Sequence, residues 1–300
     1  MINRCYAAID IGTNAVRLLI KKVKNDEVPM DKRFTKTLLL RVPLRLGFDV
    51  FSLGNISDAK AKKLQRLMKA FRQLMKIYEV TDYRACATSA IRDASNGKEI
   101  IKKIQKDTGI DIEVIDGQEE AQIIYKYHIE CTTNNVGNYL YVDVGGGSTE
   151  INLQVNGELK SSFSYNVGTV RMLSNAVKEE TWTQIKTDLQ RLTDGLDHIN
   201  IIGSGGNINK LYRLIKKSKK QQRISVDSLR LLNDSLKPLT PEQRMEKYDL
   251  KSDRADVIVP AAEIFLSIAE AIHSEYIYVP VIGLADGIID GLYERDKENT

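Results

Sequence analysis

The sequence predicts an α/β protein built from two related halves. Predicted strands alternate with predicted helices along the chain, which is typical of layered α/β domains. One pattern also occurs twice, at residues 5–14 and 139–150: an apolar strand, an Asp, an apolar residue and Gly, followed by hydroxyl residues. The 300 residues suit one large or two medium domains. We therefore interpret the chain as a duplicated half.

The second copy carries the strongest chemical signal. It holds two acids, three consecutive glycines and two hydroxyl residues, which are Asp143, Glu150, Gly145, Gly146, Gly147, Ser148 and Thr149. Glycines leave room for backbone N–H groups to cradle anionic oxygens, and the two acids can hold a divalent cation or polarise a water. The alternative is a plain glycine-rich hairpin turn, which the flanking acids and hydroxyls disfavour. The sequence thus favours a phosphate-binding loop.

Each copy is followed by alternating apolar residues, at 16–20 and 151–155, which predict the return strand of a hairpin. Asn156 and Gly157 then predict a tight turn. Two phosphate loops of this kind, one in each half, would clamp a phosphate chain and its metal in a cleft between the domains.

The remaining elements of the first half are predicted from periodicity and capping residues. They are a strand at 36–42, a stretch at 44–50 that runs into a glycine-containing loop, a helix at 58–78, a strand at 82–90, a polar turn at 92–96, a helix at 98–108, a strand at 112–115 and a helix from Glu119. Ser57 is suited to cap the first of these helices, whose apolar residues recur at helical spacing. Gly109 closes the second helix. The polar stretch 132–138 predicts a loop, and we place the domain boundary close to it.

The second half repeats the plan. One predicted helix follows residues 168–171, and others lie at 182–196, 211–217, 225–236, 241–248 and 255–273, with a last helix through Tyr293. Strands are predicted at 199–202 and 276–282. A third glycine-rich loop, at residues 203–207, lies between a strand and a helix. Backbone donors and the positive end of the helix can meet a phosphate or nucleotide there.

Composition limits the class of protein and the kind of metal site. An apolar fraction of 42% and a charged fraction of 28% are ordinary for a soluble protein, and no apolar run reaches the roughly 18 residues of a membrane span. We therefore expect a cytoplasmic protein with no membrane partner. The three His and three Cys residues are scattered, so any metal must be a hard cation on oxygen ligands.

The net charge of +4 is mild, so no nucleic-acid partner is expected. Basic residues do cluster at 21–24, 60–69 and 216–223. We interpret these clusters as solvated faces and loops, with a polyphosphate or nucleic-acid track as the alternative for one of them.

Several motifs, in this order, resemble those of one known family. They lie at residues 10–14 with Arg17, 87–96, 117–121, 143–150, 168–171, 203–207 and 254–256. The family is that of exopolyphosphatases and guanosine pentaphosphate phosphohydrolases (Ppx/GppA), in the actin and hexokinase superfamily, and the match covers nearly the whole chain. The resemblance implies an α/β fold of duplicated actin-like (ribonuclease H-like) domains with an interdomain active-site cleft. The domains would span residues 1–130 and 131–300, with the helix at about 284–300 packed on the first.

The resemblance implies hydrolysis of a terminal phosphoanhydride bond. Glu120 would be the general base, Asp143 and Glu150 would hold Mg²⁺ or another divalent cation such as Mn²⁺, and Arg92 would complete the catalytic set. The residues implied to bind phosphate oxygens are Asp10, Gly12, Thr13, Asn14, Arg17, Gly145, Gly146, Gly147, Ser148, Thr149, Gly205 and Gly206. An arginine, a metal and one well-placed carboxylate are sufficient parts for phosphoryl transfer to water.

Two features depart from the family pattern. The family commonly has an Arg-Glu pair in a Leu-Arg-Glu-Gly motif near the end, where this chain has Ala285 and Asp286. The chain also stops near residue 300, without the extra C-terminal helical domains of longer members. We therefore expect polyphosphate of modest length as the substrate.

Exopolyphosphatase activity, which releases orthophosphate from inorganic polyphosphate, is the leading hypothesis. The closest alternative is a guanosine pentaphosphate 5′-phosphohydrolase, because the motifs are shared by both substrates. A non-catalytic sensor of polyphosphate or an alarmone is disfavoured by the retained Glu120, Asp143 and Glu150. A sugar kinase is disfavoured by the matches at 87–96 and 117–121. A homodimer is expected from general prevalence and from the resemblance.

Overall fold

A computed structural model describes residues 4–25, 28, 30–131, 137–215, 222–280 and 283–298. The chain divides into two compact units, Met1–Thr133 with Leu284–Thr300, and Asn134–Gly283. Most of the predicted boundary loop and most of the third basic cluster lie outside the described residues. Within the described ranges, no helix combines the length and apolar character needed to cross a bilayer.

The first unit is built on one mixed sheet. It contains β1 (Cys5–Ile11), β2 (Val16–Val23), α1 (Met30–Arg33), β3 (Phe34–Val42), α2 (Leu46–Leu53), α3 (Asp58–Ile77), β4 (Asp82–Ala87), α4 (Ser89–Asp93), α5 (Gly97–Thr108), β5 (Glu113–Val114) and α6 (Gly117–Cys131). The strand order is β3-β2-β1-β4-β5. The pairs β1–β2 and β2–β3 are antiparallel, whereas β1–β4 and β4–β5 are parallel.

The second unit repeats this topology. It contains β6 (Asn138–Val144), β7 (Thr149–Val155), β8 (Glu158–Tyr165), α7 (Thr169–Leu173), α8 (Glu179–Thr193), β9 (Ile199–Ser204), α9 (Gly206–Ile215), β10 (Arg223–Ser225), α10 (Val226–Leu236), α11 (Pro241–Tyr248), α12 (Ser252–Ala255), α13 (Ile258–Ala271) and β11 (Tyr276–Tyr278). The order is β10-β11-β9-β6-β7-β8. β6 is antiparallel to β7 and parallel to β9, as β1 is to β2 and β4. The predicted α/β fold with duplicated halves is confirmed.

Apolar clusters cover both faces of β1, which explains why this strand is apolar at every position except Asp10. Alternate residues of a strand point to opposite faces of the sheet. On one face, Cys5, Ala7, Ile9 and Ile11 share a cluster with Leu64, Met68, Phe71 and Met75 of α3. On the other face, Tyr6 and Ala8 share a cluster with Ile288, Ile289, Leu292 and Tyr293 of α14 (Leu284–Glu298).

The departure from the family pattern at Ala285 and Asp286 has a structural use in this chain. Ala285 is buried in the cluster beneath α14. Asp286 Oδ1 lies 2.8 Å from Lys21 Nζ on β2, and the Lys21 side chain is only 7% exposed. A buried ammonium needs a partner charge. Asp286 therefore ties α14 to the sheet of the first unit.

The structure has a helix that was not predicted, because α2 begins at Leu46, inside the stretch at 44–50 that was expected to run into a glycine-containing loop. Two backbone hydrogen bonds anchor this helix to the first motif: Arg45 N donates to Asn14 O at 2.9 Å, and Gly47 N donates to Thr13 O at 3.0 Å. Such contacts between distant segments leave no trace in local periodicity.

The bounds of other elements also differ from those predicted. The polar turn predicted at 92–96 begins inside α4, the helix predicted at 255–273 divides into α12 and α13, and β10 was not predicted. The long helices were predicted closely, because an apolar stripe and a cap define them locally. Ser57 caps α3 as expected, its hydroxyl accepting from Lys60 N at 3.4 Å.

Candidate active site

The glycine-rich loop of the second unit joins β6 to β7. Gly145 N donates to Ser148 O at 3.0 Å, which closes the turn. Three loop carbonyls then accept hydrogen bonds from the start of α7. The pairs are Thr169 N to Gly145 O at 3.1 Å, Val170 N to Gly146 O at 2.8 Å, and Arg171 Nε to Gly147 O at 2.7 Å. The loop is therefore held to α7 through its carbonyl groups.

The backbone N–H groups of the same loop are candidate hydrogen-bond donors to a ligand. Among the residues that the structure describes, none accepts a hydrogen bond from the amide N–H of Gly146, Gly147 or Ser148. Backbone donors in native proteins are normally paired with protein or solvent. Consecutive N–H groups in a tight turn form a concavity that binds anions. The loop is thus suited to anionic oxygen atoms.

Gly168 allows this loop to reach α7. Its backbone is extended, with a φ of −157°, so its conformation does not require glycine. A Cβ atom at Gly168 would lie 2.5 Å from Gly147 N and 2.6 Å from Gly146 C. Non-bonded heavy atoms prefer separations of about 3.5–4.0 Å. The missing side chain is therefore what permits the close approach.

We expect Gly168→Ala to displace the loop and to weaken binding of inorganic polyphosphate, the substrate implied by the resemblance, about 10-fold. The overpacked contact should also lower the free energy of unfolding by about 1–3 kcal/mol. Equilibrium binding and urea unfolding measure the two effects. Gly291→Ala is the control, because a Cβ there meets no atom within 4 Å. Unchanged binding in Gly168→Ala would show that the site does not depend on this contact.

Asp143 and Glu150 lie opposite each other on β6 and β7, on either side of the loop. Carboxylate oxygens of the two residues lie within 4.8 Å of one another. Glu150 is buried and Asp143 is half-buried. Two carboxylates this close repel each other unless a proton or a cation lies nearby. Their oxygens are the ligands that hard divalent cations take, so the chemistry of the pair fits such a cation.

The third glycine-rich loop, between β9 and α9, lies beside this pair. Gly205 has a φ of +96°, in the region that favours glycine, and a Cβ there would lie 2.9 Å from Asp143 Oδ1. A Cβ at Gly206 would meet the guanidinium of Arg254, which is hydrogen-bonded to Asn207 Oδ1. Glycine at both positions lets the loop lie against Asp143 and Arg254.

In the first unit, the loop between β1 and β2 is closed by a hydrogen bond from Gly12 N to Ala15 O at 3.2 Å. Asp10 and Arg17 lie opposite each other on the two strands and form an ion pair. A Cβ at Gly12 would lie 3.7 Å from Arg17 Nη1, so the guanidinium is beside the loop. Asp10 and Arg17, both predicted to bind phosphate, are therefore paired with each other beside this loop.

Two of the predicted phosphate-binding hydroxyls are used within the fold. Thr13 Oγ1 lies 2.7 Å from Ser89 Oγ, and Thr149 Oγ1 donates to Val167 O at 2.6 Å. Both threonines are buried. An anionic oxygen requires a donor, and the hydroxyl hydrogen of Thr149 is already given to a carbonyl. The geometry therefore gives Thr149 the role of fixing the end of its loop.

Glu119 and Glu120 are neighbours at the start of α6 but differ in environment. The Glu119 side chain is 44% exposed and lies 2.6 Å from Arg84. Burial lowers the pKa of the Arg84 guanidinium, but hydrogen bonds to Glu113 and Glu119 outweigh burial and raise it. Glu120 is only 7% exposed. The helix dipole favours either glutamate, but burial of a carboxylate is a mark of functional sites.

Arg92 lies close to the same helix start. Its Nη1 donates to Ile115 O at 2.9 Å, and its Nε lies 3.9 Å from Asp93 Oδ1. Asp116 follows Ile115, and its backbone carbonyl accepts a hydrogen bond from Glu120 N at 3.0 Å. The first unit thus brings Arg92 to the end of α6 that carries Glu120.

Sequence reasoning missed several polar residues that support these groups. They are Ser89, Ser164, Arg171, Ser204 and Arg254. Ser89, Arg171, Ser204 and Arg254 belong to recognised motifs, so their positions carried a signal. Ser164 carried none, because its contact with Glu150 depends on β8 becoming the neighbour of β7.

Comparison with known proteins places the chain in a family. The model of the Ppx/GppA phosphatase family matches residues 31–296. A bifunctional 3-dehydroquinate synthase/phosphatase of Fusobacterium nucleatum is 28% identical, over 92% of this chain and 45% of that protein. A guanosine-5′-triphosphate,3′-diphosphate pyrophosphatase of Aeromonas salmonicida is 25% identical, over 98% of this chain and 60% of that protein. The chain therefore spans about half the length of these relatives.

The fold has close counterparts among solved structures. The crystal structure of an exopolyphosphatase from Cytophaga hutchinsonii superposes with a TM-score of 0.84, covering 97% of this chain and 98% of that one. The sequence identity is 23%. At this identity, the likeness shows the shared fold.

Proposed function

This chain belongs to the Ppx/GppA phosphatase family, and from that premise we propose that it is a metal-dependent exopolyphosphatase. It removes orthophosphate from the end of inorganic polyphosphate. The observation that carries the proposal is in the second unit, where three backbone N–H donors without a described acceptor adjoin the paired Asp143 and Glu150. N–H donors suit phosphate oxygens and the carboxylates suit a divalent cation, so this unit would supply both parts of a metal–phosphate site.

Asp143 and Glu150 would hold Mg²⁺ or Mn²⁺. When bound, the cation would neutralise charge on the oxygens of the terminal phosphate. The N–H groups of Gly146, Gly147 and Ser148 would orient those oxygens. Removal of bulk water from a site of this kind strengthens each of these interactions.

Glu120 would act as the general base. Its carboxylate takes a proton from water as the water oxygen bonds to the terminal phosphorus. The bond from that phosphorus to the bridging oxygen breaks, and the electron pair leaves on the shortened chain. Arg92 and Arg17 would bind oxygens of the phosphate chain as cations.

Guanosine pentaphosphate is the second candidate substrate. It is favoured by the similarity of this chain to the Aeromonas relative, which is a guanosine-5′-triphosphate,3′-diphosphate pyrophosphatase. Both substrates offer a terminal phosphate on a phosphoanhydride chain, so one phosphate site serves either.

The test is orthophosphate release with Mg²⁺ from short polyphosphate, long polyphosphate and guanosine pentaphosphate, in parallel. We expect release from polyphosphate that stops when EDTA removes the metal. Faster release from guanosine pentaphosphate would replace the leading substrate with the second. A folded protein that binds polyphosphate and releases no phosphate would support a sensor instead.

The family resemblance also supports a homodimer. Sedimentation in the same buffer would measure the oligomeric state.

A further inference from the structure

A row of four polar side chains crosses the sheet of the second unit at the proposed metal ligands. The strands β9, β6, β7 and β8 are successive neighbours. The residues in register along this line are Ser204, Asp143, Glu150 and Ser164. Residues directly opposite one another on paired strands present their side chains to the same face of a sheet. The two carboxylates are therefore flanked by two hydroxyls.

Each hydroxyl donates to the carboxylate beside it. Ser204 Oγ donates to Asp143 Oδ1 at 2.5 Å, and Ser164 Oγ donates to Glu150 Oε1 at 2.9 Å. The strand order places each serine on the side of its carboxylate away from the other carboxylate. One oxygen of each acid is thus held from outside the pair.

These two hydrogen bonds counteract the repulsion between the two carboxylates. Two carboxylates within 4.8 Å of one another repel, and Glu150 is 1% exposed. Left to itself, each side chain could rotate to separate the charges. A hydroxyl donor on one oxygen stabilises the charge and restricts that rotation, so it fixes the orientation of the carboxylate.

We propose that Ser204 and Ser164 are positioning residues that orient Asp143 and Glu150 for a divalent cation. The proposal rests on the proposed function, since it concerns the same metal. Outer hydrogen-bond partners of metal ligands fix ligand orientation and tune affinity, and their loss typically costs about 10–100-fold in metal affinity or activity.

The two serines contribute unequally. Ser204 is 2% exposed, and Gly205 directly after it turns the chain against Asp143. Ser164 is exposed and lies on β8, the edge strand of the sheet. Water can replace an exposed hydroxyl as donor, but it cannot readily replace a buried one. The larger effect therefore belongs to Ser204.

The test uses Mn²⁺ as the probe, bound to the full chain without substrate and followed by electron paramagnetic resonance. We expect Ser204→Ala to weaken Mn²⁺ binding about 10–100-fold, and Ser164→Ala to weaken it less. Ser204→Thr keeps the hydroxyl and should restore most of the affinity. Ser162→Ala is the matched control, because Ser162 lies two residues before Ser164 on β8 and its hydroxyl oxygen, among the described residues, has no hydrogen-bond partner.

Mn²⁺ affinity equal to that of the wild type in both Ser204→Ala and Ser164→Ala would overturn the inference. A wild type that binds Mn²⁺ and releases orthophosphate in that case leaves the proposed function standing. A wild type that binds no Mn²⁺ and releases no orthophosphate would overturn both. If Ser204→Ala does not fold, the comparison of Ser164→Ala with Ser162→Ala still decides, and equal affinity in those two variants would overturn the inference.

Discussion

Glu120→Gln is expected to lower the rate of orthophosphate release from polyphosphate by about 100- to 10,000-fold, the range that a general base supplies. The amide has the same size as the carboxylate but cannot take a proton from water. Because the amide matches the size of the buried Glu120 carboxylate, the change should leave the fold and the affinity for polyphosphate in place. Single-turnover phosphate release and equilibrium binding separate these quantities.

Glu119→Gln is the matched control for this change. The two glutamates are adjacent on α6, but the Glu119 side chain is 44% exposed and paired with Arg84. Exposed ion pairs contribute about 0–1 kcal/mol to stability, so Glu119→Gln should keep the activity of the wild type. Equal losses in the two variants would show that the helix start as a whole, and not the Glu120 carboxylate, is required.

Asp143→Asn should lower activity by about 100- to 1,000-fold at the Mg²⁺ concentration that saturates the wild type. A catalytic metal supplies several kcal/mol of charge stabilisation, and about 1.4 kcal/mol corresponds to a factor of ten in rate. The amide oxygen can still accept from Ser204, but the negative charge beside Glu150 is lost. Titration of activity with Mg²⁺, and of Mn²⁺ binding without substrate, measures the effect.

Glu158→Gln controls for the loss of one negative charge in the second unit, because Glu158 is exposed on β8 and paired with Lys160. We expect it to titrate with Mg²⁺ as the wild type does. An Asp143→Asn variant that also titrates as the wild type would remove Asp143 from the metal site.

The repeated loops could be predicted from sequence because their signals are local. An apolar strand ending in Asp, followed by Gly and hydroxyl residues, specifies the residues of a turn and the acid before it. The structure places Asp10 and Asp143 at equivalent ends of β1 and β6, next to antiparallel return strands. The stripe of α3 and the cap at Ser57 are local in the same sense.

The supporting residues could not be predicted, because their roles depend on contacts between distant segments. Ser204 is 61 residues from Asp143 in the chain, and it becomes a neighbour only because β9 pairs with β6. Gly168 lies in the motif at residues 168–171, but only the structure shows that space for the loop, and not backbone conformation, requires a glycine there. Thr149 has the right chemistry for phosphate, yet Val167 already accepts its hydroxyl hydrogen.

The most direct test of the proposed exopolyphosphatase activity is to hydrolyse polyphosphate of modest length with Mg²⁺ in water enriched in heavy oxygen, and to follow both the released phosphate and the residual chain. The predicted result is orthophosphate in which each molecule carries one solvent oxygen, from chains that shorten at their ends, with release by Glu120→Gln slowed about 100- to 10,000-fold. Release of internal fragments, unlabelled orthophosphate, or undiminished release by Glu120→Gln would contradict it.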